Sequence, residues 1–197
     1  MVDALLHGTP TPDLPLLVVA LEIEAEHLHV HDLPILVTGL GKVNATLGVA
    51  EVVSRVRPSV VVNLGTAGSL REDLEGTREV TLVTQHDLNN EGILDLTGVW
   101  PGPDVRLRPP SAGGDVVLVT GDTFVTDPVR AAALGLTASL VDMEGYGVAR
   151  AAHRFGVPAR IIKTVSDRAN RSAFTSWQST IVECSEALGL WVAENLV

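Results

Sequence analysis

Ser59-Val60-Val61-Val62-Asn63-Leu64-Gly65-Thr66-Ala67-Gly68-Ser69 is the stretch on which the fold turns. Residues 59–64 are almost continuously apolar, without polar-out alternation, which is the pattern of an inner strand covered on both faces. The small residues after Leu64 read as a loop that exposes backbone N–H groups and the Thr66 hydroxyl. Such a loop either makes a tight turn or holds an anion, a water or a sugar hydroxyl.

On the N-terminal side, residues 16–21 (Leu-Leu-Val-Val-Ala-Leu) form a second buried strand, which ends at Glu22-Ile23-Glu24-Ala25-Glu26. In open α/β sheets, ligands bind at the carboxyl ends of strands, so a carboxylate there either faces a site or is solvated. In a strand the three glutamates would share one face, and in a first helical turn they would diverge. Spacing does not choose among them. His27, His29 and His31 would likewise share a face of a strand, a metal-ligand arrangement. Polar-out alternation on an exposed strand explains them without a metal, and no metal site is expected. A strand at 35–38 then leads through Gly39-Leu40-Gly41-Lys42 into a helix at 43–56, stopped by Pro58. The glycines do not make a nucleotide loop. Asn44 stands where a dinucleotide fingerprint needs its third glycine, and Leu36 where a Walker motif needs its first.

On the C-terminal side, strands at 79–85, 116–120, 139–141 and 159–165 alternate with helices. The chain closes on a long amphipathic helix, 172–195, with Trp177, Ile181, Leu188 and Val192 among its apolar positions. The Gly- and Pro-rich span 89–114 shows little regular pattern and reads as a lid, a subunit contact or plain surface. Asp127-Pro128 reads as a helix N-cap with proline at the first helical position. Phe124, at a strand end, either packs in the core or offers its ring to a flat ligand.

The chain has 197 residues, 46% of them hydrophobic, enough for a single domain with a substantial core, and no repeat or linker divides it. A net charge of −10 disfavours nucleic acid as a partner. The start lacks a signal-peptide pattern and every apolar run is too short to span a membrane. The single cysteine, Cys184, excludes a disulfide and a Cys-based zinc site, and fits a reducing cytoplasm.

Chemistry concentrates where strands end. Leu140-Val141-Asp142-Met143-Glu144-Gly145-Tyr146-Gly147 runs from an apolar strand through two acids into a small-residue helix. Acids at a helix start are commonly caps, but a buried carboxylate needs a partner, and a ligand can be one. With Glu22 or Glu24, Thr66 and Ser166-Asp167, four strand ends carry polar groups. Without a lysine or cysteine nucleophile or a metal cluster, paired carboxylates point to general acid–base chemistry on a neutral, polar molecule. Glycosidic hydrolysis is one such reaction.

Four ordered motifs resemble the nucleoside phosphorylase/nucleosidase superfamily, most closely the 5′-methylthioadenosine/S-adenosylhomocysteine nucleosidases. They are Val37-Thr38-Gly39-Leu40-Gly41-Lys42-Val43-Asn44-Ala45, Asn63-Leu64-Gly65-Thr66-Ala67-Gly68, Val141-Asp142-Met143-Glu144 and Val165-Ser166-Asp167. The resemblance implies an α/β fold of three layers, α/β/α, around a central mixed, twisted sheet. It also implies hydrolysis of a purine N-ribosidic bond, with purine nucleoside and water as the partners, no cofactor, and a homodimer. By the same resemblance Asp167 protonates the purine at N7, oriented by Ser166, and Glu24 activates water. Glu144 holds the ribose hydroxyls, Met143 packs on the sugar, Phe124 stacks on the base, and the Val125 backbone reads the purine edge. Protonating the leaving group requires that Asp167 have a raised pKa.

Departures from the family pattern are also plain. Thr66 stands for a serine and Lys163 for an arginine at two positions that help hold the water, and Asp142 stands for a glutamate. Gly145-Tyr146-Gly147 replaces small alanines, and the chain is short between residues 89 and 116. The rival readings are a phosphorylase, a nucleosidase for futalosine or AMP, and a non-catalytic nucleoside-binding protein. Glu22-Ile23-Glu24, where a phosphorylase needs a basic phosphate site, would repel phosphate and favours hydrolysis.

Overall fold

The computed structural model describes residues 4–107 and 115–197. Residues 108–114, the end of the irregular span, lie outside the described residues. In chain order the strands are β1 (Leu5–His7), β2 (Leu16–Val19), β3 (Ile35–Val37), β4 (Val61–Ser69), β5 (Thr77–Glu79), β6 (Leu82–Gln85), β7 (Val105–Arg106), β8 (Val117–Thr120), β9 (Leu140–Asp142) and β10 (Ala159–Asp167). The helices are α1 (Glu22–Ala25), α2 (Lys42–Arg55), α3 (Asn90–Thr97), α4 (Pro128–Gly135), α5 (Gly145–Arg154) and α6 (Ala173–Asn195).

The strands form one mixed sheet in the order β1-β3-β2-β4-β9-β8-β6-β7, with β10 along β4 and β5 along β10. Side-chain alternation builds the layers on either side. Leu16, Val18 and Val61 pack with Val49 and Val53 of α2 and Val148 and Ala152 of α5. Leu17, Val19, Val62 and Leu64 pack on the opposite side with Ala25 of α1 and Leu188 and Val192 of α6. The three-layer α/β/α architecture follows. Among the described residues, no helix is long and apolar enough to cross a membrane.

The central strand differs from its sequence reading. β4 does not stop at Leu64 but runs through the small residues to Ser69. Its long partner β10 holds it, pairing in parallel from Ala159↔Val61 to Asp167↔Gly68. On the other edge β4 has two partners in succession. β2 pairs in parallel only as far as Asn63, and β9 pairs antiparallel only with Gly68 and Ser69. Between them, residues 64–67 have no strand partner on that edge among the described residues, and the carboxyl ends of β2 and β9 point at the gap from opposite directions. The ligand-binding position of an α/β sheet is thereby set.

Other expectations need correcting. Residues 79–85 are two strands, because β5 pairs with β10 while β6 pairs with β8. The span expected to lack pattern contains α3, whose Asn89 cap accepts from the Gly92 N–H at 3.0 Å, and the edge strand β7. Two-residue and three-residue edge strands such as β7 and β1 carry too little periodicity to read. Residues 22–25 and 29–31 are helical and a turn joins them, so the segment is not extended and the three histidines do not share a strand face. His27 and His31, one turn apart, bond to Ser185 and to the Gly189 carbonyl of α6, while His29 does not join them.

Candidate active site

The gap beside residues 64–67 opens into a cavity of about 330 Å³, a size suited to a small ligand. Carboxylates come to it from three directions: Glu24 after β2, Glu144 after β9 and Asp167 at the end of β10, with Asp142 also at the wall. Thr66, Phe124, Val125, Met143 and Ser166 line it too. Lys163 does not. Its ammonium lies beneath, 2.9 Å from Asp142 Oδ2, with both side chains almost wholly buried.

Glu24 owes its place to the short helix α1, whose first turn makes the glutamates diverge. Glu22 faces solvent and Glu24 is buried. Its Oε2 accepts from the backbone N–H groups of Ala20 and Leu21, each at 3.1 Å. Its Oε1 accepts from the Thr66 N–H at 3.0 Å and from the Thr66 hydroxyl at 3.2 Å. The hydroxyl is turned that way because Thr66 Oγ1 receives the indole N–H of Trp177 at 3.1 Å, and an indole can only donate. Gly65 makes the approach possible. A Cβ there would lie 3.0 Å from Glu24 Oε1 and 3.2 Å from Lys163 Nζ.

Glu144 stands at the start of α5 but does not cap it. Its Oε1 accepts from the Gly41 N–H at 2.8 Å. Gly41 has a φ of 93°, which favours glycine. The cap belongs to Asp142, whose Oδ2 accepts from the Gly145 N–H at 2.9 Å and whose Oδ1 accepts from the Thr120 hydroxyl at 2.6 Å. Burial, reinforced by the charge of Asp142, pushes the Glu144 carboxyl up to about 8, against the opposing pull of Lys163 and the Gly41 N–H. Burial alone would lower the pKa of Lys163, but Asp142, Glu144 and Glu24 outweigh it and hold the ammonium above its usual range.

Asp167 is held by two donors, the Ser166 hydroxyl at 2.9 Å and the Ala169 N–H at 2.8 Å. Burial raises its carboxyl above the usual range and the two hydrogen bonds oppose it. The direction matches the requirement read from the sequence for a proton-donating acid. Ala169, fully buried, takes a φ of 48°, a left-handed conformation that a non-glycine residue adopts at a cost of about 1–2 kcal/mol. The turn it makes aims its N–H at Asp167.

The aromatic lining residues that were not recognised as site residues in the sequence are Phe174 and Trp177, on the first turns of α6. Helical periodicity assigned Trp177 to the apolar face, and its polar partner, Thr66, is 111 residues away. The chain's low aromatic content was the available signal: with only three Phe and three Trp in 197 residues, three of the six line one cavity.

A model of the phosphorylase superfamily matches residues 5–113 and 114–192. A 5′-methylthioadenosine/S-adenosylhomocysteine nucleosidase of Bacillus cytotoxicus is 31% identical over 173 residues, which are 75% of this chain and 73% of the relative. The chain belongs to the phosphorylase superfamily and, within it, to the family of these nucleosidases. Two solved Helicobacter pylori structures share the fold at 22% identity and a TM-score of 0.79. They are a futalosine hydrolase, with 92% of this chain and 96% of that chain covered, and a 5′-methylthioadenosine/S-adenosyl homocysteine nucleosidase, with 93% and 97%.

Proposed function

We propose that the protein is a purine nucleosidase that hydrolyses the N-ribosidic bond of 5′-methylthioadenosine, S-adenosylhomocysteine or both, releasing adenine. The observation that carries this reading is a cavity lined by four carboxylates with no lysine or arginine among its described lining residues. Such a wall offers no cation to hold the phosphate that phosphorolysis needs, and its carboxylate oxygens suit a transition state in which the ribose becomes cationic. The names of the relatives support the adenine nucleosides as substrates. The aromatic wall of Phe174 and Trp177 suits an apolar 5′ substituent.

In this mechanism Asp167, whose carboxyl burial raises above its usual range, gives a proton to N7 as the bond from C1′ to N9 breaks, so that adenine leaves neutral. Ser166 orients that acid. Glu144 accepts from the ribose hydroxyls and Met143 packs on the sugar, while Phe124 stacks on the base and the Val125 backbone meets its edge. Glu24 takes a proton from the water whose oxygen bonds to C1′. Four donors hold its two oxygens in place for that transfer. Thr66 fixes Glu24 directly. Lys163 acts from beneath, by neutralising Asp142, rather than by touching substrate.

The same reading takes residues 1–197 as one nucleosidase domain acting as a cytoplasmic homodimer. The unpaired Cys184 supports the compartment, and the exposed apolar side chains of Leu96, Val99 and Trp100 support a subunit contact. Light scattering that finds only monomer would overturn the dimer. The activity is tested by purine release from methylthioadenosine, S-adenosylhomocysteine, inosine, AMP and futalosine, each with and without phosphate. Phosphate-independent adenine release from the first two is expected. Release that requires phosphate and yields ribose 1-phosphate contradicts hydrolysis, and preference for futalosine or AMP moves the substrate.

A further inference from the structure

Outside the cavity, three metal-ligating side chains from separate parts of the chain meet at the surface. His7 lies on the edge strand β1, Glu22 opens α1, and His29 stands in the 3₁₀ turn His29–His31. Their ligand atoms all lie within 4.8 Å of one another. Glu22 sits between the two rings. Its Oε1 is 2.7 Å from His7 Nε2 and its Oε2 is 3.9 Å from His29 Nε2. The rings themselves meet edge to face at 4.8 Å.

A simple hydrogen bond accounts for His7 and Glu22. It does not account for His29, whose Nε2 faces the second carboxylate oxygen at a distance too long for a hydrogen bond. An ion bound by all three groups does account for it. Tetrahedral zinc with bonds of about 2.0–2.1 Å separates its ligand atoms by roughly 3.3 Å. The two observed separations, one to each oxygen of Glu22, lie on either side of that value, and rotation of the half-exposed side chains can bring one oxygen to the distance both rings need. Side-chain exposures of 35%, 49% and 42% leave the groups open to solvent, so an ion can enter and water can take the fourth position.

We propose that His7, Glu22 and His29 form a surface binding site for a borderline divalent transition ion such as Zn²⁺. Two imidazoles and one carboxylate select such ions over Mg²⁺ and Ca²⁺, which prefer oxygen ligands. A bound ion would tie β1 and the 3₁₀ turn to α1, the helix that carries Glu24, and would stabilise the folded chain because the unfolded chain lacks the assembled site. The proposal does not rest on the nucleosidase reading.

The test is calorimetric titration of the tag-free, metal-stripped full chain with ZnCl₂ and, separately, MgCl₂, together with thermal melting. One Zn²⁺ should bind per chain and raise Tm, while Mg²⁺ does neither. His7→Ala and His29→Ala should each weaken Zn²⁺ binding by roughly tenfold or more, since losing a group that merely supports a metal ligand already costs about that. Exposed His153, distant in sequence on α5, is the control, and His153→Ala should bind as the parent does. Metal-free melting of each variant checks that it is folded. Absence of saturable Zn²⁺ binding, or binding that survives removal of His7 and His29 together, would overturn the proposal.

Discussion

Glu24 and Glu144 occupy equivalent places at the two ends of the gap in the sheet. Each follows a buried strand, each is the second acid of an acid-x-Glu sequence, and each is buried at the cavity wall. Their electrostatic settings are opposite. Glu24 collects four hydrogen-bond donors, whereas Glu144 has the Gly41 N–H, lies beside Asp142 and is pushed up to about 8. Two carboxylates buried at one cavity wall are thus held in different ways, Glu24 by four donors and Glu144 by one donor beside a second acid.

Replacing Glu24 should break the comparison most severely. Glu24→Gln removes the base and sets an amide N–H₂ against two of the four donors. Adenine release should fall by about 10²–10⁴-fold, with a stability loss of roughly 1–3 kcal/mol by urea denaturation. Activity near that of the parent would refute the role of Glu24.

Removing the cation beneath the other end should come next. Lys163→Met leaves Asp142 buried without its ion pair and should cost about 3–5 kcal/mol in the same denaturation experiment. A loss below 1 kcal/mol would contradict a stabilising role for the buried ion pair.

Glu144→Gln sharpens the contrast through pH. Burial raises the Glu144 pKa from 4.5 to about 8 in the folded state, so its contribution to stability is fully present below about 4.5. That contribution is lost as pH rises through about 8. Between pH 5 and 9 the parent's Tm should fall relative to that of Glu144→Gln, which stays neutral throughout. Parallel curves would contradict the raised pKa.

The smallest effect should come from Trp177→Phe, which keeps a ring in the cavity wall and deletes the N–H that turns the Thr66 hydroxyl toward Glu24. The loss of about 1 kcal/mol of positioning corresponds to roughly a fivefold drop in kcat. An unchanged kcat would mean that the backbone N–H groups alone hold Glu24.

The buried strands around residues 16–19 and 61–64 were legible because a strand covered on both faces has to be apolar at nearly every position. β4 beyond Leu64 was not, since its small residues are the turn formers of ordinary loops and pairing with the distant β10 and β9 keeps them extended. Residue types and spacing could not choose between Glu22 and Glu24. Family resemblance chose Glu24, and the helical turn that buries Glu24 is too short to carry periodicity of its own. Trp177 escaped because its place in the wall depends on Thr66, a contact across the fold. A cap at the start of α5 was readable from local sequence, because a cap is a local interaction, but local sequence offered it to Asp142 and Glu144 alike.

The most direct test is to run the reaction in ¹⁸O-labelled water without phosphate, with methylthioadenosine as substrate, and to weigh the ribose product. The account predicts adenine and a 5-methylthioribose that carries one solvent oxygen at C1. No release without phosphate, or ribose 1-phosphate when phosphate is restored, would contradict it.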